Sequence, residues 1–177
     1  MLGSEDIHPK LHPGTMRELA AGILRGALAG AVFLAFEVVV SGLAGAGYTW
    51  PLRLVAGILL GWGALPPRPE FSIGVVIFVA LVVHFALSSA FGALFSALFH
   101  NFGGRMGASW GRNAVLSGLA FGFLLWGVDV YVLAVFFDAF PWFEQANPPV
   151  AAIGHVFFYG GVLGLLVARR FAGRRPG

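Results

Sequence analysis

Glu37, His84, Asp129 and His155 each interrupt a long apolar stretch of a 177-residue chain in which 58% of residues are hydrophobic and 11% charged. On insertion scales a charged side chain at the bilayer centre costs about 2.5–3.5 kcal/mol, so such groups face one another or a wet cavity and mark a function by default. Carboxyls beside imidazoles can handle protons or ions, because imidazole changes charge in the physiological pH range. Two histidines and two carboxylates are also suitable ligands for zinc or iron, and a histidine pair can hold haem inside a helical bundle. No short ligand motif fixes a metal geometry, and neither a serine nucleophile elbow nor a phosphate-binding glycine loop is present. The chain has no cysteine, which excludes disulfides and thiolate chemistry. The expectation is a protein that is not an enzyme and needs no cofactor. A plainer reading stands beside the functional one. His84 would bond a neighbouring carbonyl to fix a helix contact, His155 would tie down the loop before its helix, and each carboxyl would stay neutral and hydrogen-bonded.

The elements that position these groups must be membrane helices. A soluble domain carries about 25% charged residues, more than twice the fraction here, and the mean hydropathy is +0.85 with 26 glycines. Net charge of +3 and a pI near 10.0 reflect arginines flanking apolar segments, not a basic and aromatic nucleic-acid surface. Residues 1–16 are polar and include Glu5, Asp6, Pro9 and Pro13, unlike a cleavable signal, so the first span is expected to stay in the mature protein.

Four stretches are long enough to cross: 18–45, 71–100, 113–137 and 150–168. The expected fold is an all-α four-helix membrane bundle over residues 18–168. A polar N-terminus (1–17) and a basic tail (169–177) flank it. Residues 50–65, with Pro51, Arg53 and Trp62, hold too short an apolar run to span and predict an interfacial or re-entrant helix. With four crossings, Lys10, Arg17, Arg105, Arg112, Arg169, Arg170, Arg174 and Arg175 share one side with Arg25 just inside it, against Arg53 and Arg68 on the other. The positive-inside rule then places both termini in the cytoplasm. Arg25 and His100 lie near that surface and are expected to reach out to it. The opposite loop, 138–149, carries Pro141, Trp142, Glu144, Asn147 and Pro148 and reads as a structured cap.

Spans one and three share a pattern. Gly26, Gly30 and Glu37 have the same spacing as Gly118, Gly122 and Asp129, and the next spans carry His84 and His155. Each half then becomes an acid-bearing helix followed by a histidine-bearing one, which suggests two parallel hairpin repeats about an axis along the membrane normal. Gly22, Gly26 and Gly30 form a groove on the face of Glu37. Ser88, Gly92 and Ser96 make a similar line below His84, a packing signal within the chain or between copies. At 1.5 Å per residue the four ionisable groups share a layer in the outer half of the membrane, with Ser41, Ser88, Tyr131 and Tyr159 as candidate hydrogen-bond partners. Two roles follow: a proton- or ion-responsive site, or an accessory subunit packing as a homo-oligomer or against a larger respiratory, photosynthetic or transport complex.

The segment FPWFEQANPPVAAIGH, with Asp129 before it and VVHFALSSAFGALF earlier, resembles small bacterial inner-membrane proteins of the YagU type over residues 71–168. That resemblance implies a link to acid resistance. It carries over to His84, Pro141, Trp142, Glu144, Gly154 and His155, while the N-terminal half, including PLRLVAGILLG, departs from it.

Overall fold

The computed structural model describes residues 13–67, 69–103, 110–136 and 144–172. All regular structure in it is helical. Helix α1 spans Pro13–Leu43, α2 Trp50–Leu60 with a 3-10 turn at Gly61–Ala64, and α3 Ile73–Gly103. Helix α4, Trp110–Gly127, continues as a π-helical segment at Val128–Phe136; α5, Pro148–Ile153, runs through a second π segment at Gly154–Gly161 into α6, Val162–Ala172. Four stretches, Gly14–Leu43, Ile73–Asn101, Gly111–Val132 and Pro148–Arg169, are long and apolar enough to cross a bilayer. The chain is a multi-pass membrane protein built as a four-helix bundle. Large apolar side chains such as Leu24, Phe78, Leu124 and Phe157 cover its exterior, as expected where the surrounding solvent is lipid.

Local chemistry sets the helix ends. Helix α1 is described from Pro13, five residues before the expected boundary. It stops where Gly45 and Gly47 take φ of 81° and 96°, a left-handed region costly for side-chain-bearing residues. Asn147 caps α5 by accepting a bond from the Val150 amide at 3.3 Å, with Pro148 following it.

Two antiparallel hairpins form the bundle, each closed on glycine. In the first, Thr15 meets Asn101. Gly22 then packs on Gly92, Ala93 and Ser96, Gly26 on Ser88 and Gly92, and Gly30 on Ser88 and His84. In the second, Gly118 packs on Gly160 and Gly164, and Gly122 on His155 and Val156. Bare Cα atoms let the backbones approach closely, which is how membrane helices gain dispersion energy without help from water. Phe95, Phe99, Ala114, Leu125, Tyr159, Leu163 and Val167 join the hairpins in one core around Ala29.

Antiparallel pairing places Leu43 and Ile73 at the same end of the bundle, so the segment between them returns to the side it left. Helix α2 lies there, with Leu54, Ala56, Ala64 and Leu65 packed on Val76 and Ala80 of α3. Arg53 bonds the Ala64 carbonyl at 2.8 Å and ties the 3-10 turn back onto the helix. Cysteines replacing Tyr48 and Pro67 are therefore expected to react with an impermeant reagent from the same face of the membrane. Reaction from opposite faces would mean that α2 crosses.

Arg25 turns inward. Its side chain is 12% exposed and donates to Glu18 at 3.2 Å and to Ser96 at 3.2 Å. Glu18 lies seven residues earlier, hence on the same helix face. An inward partner makes pairing cheaper than snorkelling.

Candidate functional site

Helix α1 contributes Phe33 and Glu37, α3 contributes His84 and Ser88, the first π segment Asp129, and the second His155 and Tyr159. All of them line one cavity of about 350 Å³ at the end of the bundle that α2 covers. Pro51, Leu54, Val55 and Ile58 of α2 form its cover, and Ala146 closes the side next to α5. The helix read as interfacial is therefore also a wall of the site.

Hydrogen bonding orients the His155 ring. Its Nδ1 lies 2.8 Å from the Ala151 carbonyl, which only accepts, so Nδ1 carries hydrogen. Nε2 lies 3.2 Å from Asp129 Oδ2. A bare Nε2 facing a bare carboxylate would be two acceptors in opposition, so one proton stands between them, as imidazolium with carboxylate or imidazole with carboxylic acid. The pair is partly sheltered, with His155 15% and Asp129 31% exposed at the side chain.

His84 is spent differently. Its Nε2 donates to the Gly30 carbonyl at 2.8 Å, with Ser88 Oγ at 3.5 Å, which leaves Nδ1 as the nitrogen that can gain a proton. Tyr159 donates to the Ser88 carbonyl at 2.7 Å and so links the histidine-bearing helices. The Phe33 ring stands between the two imidazoles, 5.8 Å from His84 and 4.6 Å from His155 between centroids. Glu37 turns toward the second hairpin, where a Cβ on Gly154 would lie 2.8 Å from its Oε1. That oxygen is buried and has no hydrogen-bond partner among the described residues.

Three kinds of group thus face one cavity: a bonded acid–imidazole pair, a histidine held by backbone, and an unpartnered carboxyl. Among the described residues no three histidine or acidic side chains approach closely enough to hold a metal ion. Both Nε2 atoms are turned to protein acceptors and not toward a shared space, which gives a haem iron no axial pair. Ser41 and Tyr131 do not join the site. Ser41 bonds the Gly47 carbonyl at 2.9 Å to close the turn after α1, and Tyr131 is 51% exposed with its ring edge-on to Trp126 at 5.2 Å. Of the expected cap, Glu144 is exposed and Asn147 with Pro148 opens α5; Pro141 and Trp142 lie outside the described residues.

Sequence reading missed Phe33 and the two π segments. Ser88 and Gly92 follow His84 by four and eight residues, whereas Gly160 and Gly164 follow His155 by five and nine. One extra residue in an otherwise matching register is what a π turn accommodates. His84 points onto the Gly30 carbonyl, while the surplus residue leaves the His155 backbone over Gly122 and its imidazole turned to Asp129. No family, curated protein or solved structure matches the chain.

Proposed function

We propose that the protein is a proton-responsive membrane protein whose working unit is the Asp129–His155 pair, with Glu37 and His84 as further protonatable groups on the same cavity. The observation that carries this reading is the doubly engaged His155, held at Nδ1 by the Ala151 carbonyl and facing the Asp129 carboxyl at Nε2. Charged groups are kept within a membrane span at a cost, and a pair that holds one proton in two arrangements gives that cost a use. The acid-resistance link of the resembling proteins fits this reading. So does a bacterial inner membrane with both termini cytoplasmic. Among the described residues Arg17, Arg112 and Arg169 cluster at the end where α1 begins and α6 ends, and only Arg53 lies at the other.

The test is a pH titration of ring nitrogens by ¹⁵N-histidine NMR in lipid nanodiscs. Asp129→Asn should alter the His155 ring-nitrogen response to pH, because the acid facing Nε2 is gone. A His155 signal indifferent to that substitution would refute the reading.

An accessory role is the second reading, favoured by one feature. Ala31, Val32, Ala35, Phe36, Val39 and Phe158 form an outward groove, with small residues at the four-residue spacing that lets another helix approach. A stoichiometric membrane partner retained in mild detergent and lost in Ala35→Phe would favour it.

A further inference from the structure

We infer that the cavity is a binding site for a hydrophobic organic monocation, a primary ammonium carried on an apolar tail, which enters in exchange for a proton on Glu37. This rests on the proton-responsive reading of the same site.

Charge counting is the first argument. The titratable groups facing Glu37 are His84 from α3, Asp129 from the first π segment, and His155 and Tyr159 from the second; α2 presents none. Among the described residues no lysine or arginine lines the cavity. Arg53 is turned to the Ala64 carbonyl and Arg25 to Glu18. Asp129 and His155 face each other at 3.2 Å, and His84 turns its Nε2 to the Gly30 carbonyl. Among the described residues His155, already engaged with Asp129, is the one charge partner Glu37 has across the cavity. The buried Oε1 of Glu37 has no hydrogen-bond partner among the described residues, and a cationic donor entering the cavity would supply one.

Shape is the second argument. Apart from these groups the walls are apolar, with Phe33, Leu54, Ile58, Leu87 and Phe91 prominent. A hydrated metal ion would meet too few oxygens there. An ammonium with an alkyl or aryl tail finds a carboxylate at its head, the face of Phe33 for cation–π contact, and hydrocarbon along its length. About 350 Å³ falls within the range of small-molecule pockets. Leu87 is 43% exposed while also lining the cavity, so entry lies beside α3 from the membrane, where a hydrophobic amine concentrates.

The exchange balances without another reactant. A Glu37 carboxylic acid meets R–NH3+, the carboxyl O–H bond breaks, the carboxylate pairs with the ammonium, and one proton leaves to solvent.

Hexylammonium serves as the probe, with 1-hexanol as its neutral counterpart, titrated calorimetrically into nanodisc-held protein in buffers of different ionisation enthalpy. Saturable binding of the amine with a proton released per cation is expected, absent for hexanol. Glu37→Gln should weaken it on the order of 30-fold and abolish the proton release. Ile58→Phe, which narrows the cavity and leaves every charge in place, should weaken hexylammonium more than methylammonium. Equal binding of amine and alcohol, or a Glu37→Gln protein that binds like wild type, overturns the inference. If the amine does not bind while the His155 titration still depends on Asp129, this proposal fails and the proton-responsive reading stands. Loss of that dependence removes the reading beneath it.

Discussion

Gly26→Ala is expected to destabilise the protein by about 1–3 kcal/mol, and Gly26→Leu to leave no folded monomer, whereas Gly111→Ala is expected to stabilise it by about 0.5–1 kcal/mol. The opposite signs come from what a Cβ would meet. At Gly26 it would run into the Ser88 carbonyl oxygen and lie 2.9 Å from the Gly92 Cα. Both are backbone atoms of α3, which cannot rotate away as a side chain can. Relief requires the helices to separate, and separation strips the contacts that Gly22 and Gly30 make along the same line. At Gly111 no atom of the described residues lies within 4 Å, so the better helix propensity of alanine is what is felt. Gly118→Leu should behave like Gly26→Leu, since its Cβ would collide with the Gly160 carbonyl. Unfolding by denaturant in bicelles measures both signs. A Gly26→Leu protein with a wild-type unfolding curve would show that α1 and α3 are not packed through this face.

The contrast between these glycines shows what could be read from sequence. Four spans were legible because apolar length is a direct physical requirement of the bilayer, and the four-residue spacing of Gly22, Gly26 and Gly30 is a direct consequence of helix geometry. The common depth of Glu37, His84, Asp129 and His155 followed from rise per residue, and the structure places all four on one cavity. Their pairing was not legible. Which imidazole meets which acid depends on rotation about the helix axis, and the π segments change that rotation locally with little trace in composition. The surplus residue between His155 and Gly160 was visible only by comparison with His84 and Ser88. Phe33 looked like any other apolar residue of its span. Its place between two histidines is set by the crossing of hairpins, a long-range property. Arg25 was misread because position near a helix end predicts snorkelling only when no partner such as Glu18 shares the face.

Asp129 and His155 should behave as one unit in stability as well as in titration. Asp129→Ala removes the acceptor and strands Nε2 of an imidazole that Ala151 holds in place through Nδ1. A buried polar group left unsatisfied costs about 1–3 kcal/mol, and the partial exposure of Asp129 favours the lower part of that range. Asp129→Asn should cost less, because its amide can donate to a bare Nε2 and keep a neutral hydrogen bond where the acid–base pair was. His155→Ala removes both bonds of the imidazole and opens space beside Phe33, whose ring packs 4.6 Å from it. Once either partner is gone the other has less to lose. The double variant is therefore expected to fall short of the sum of the singles by about 0.5–3 kcal/mol. Additivity within about 0.5 kcal/mol would mean that the 3.2 Å contact carries no coupling, and the two groups would then be neighbours on a cavity wall and not a proton-sharing pair.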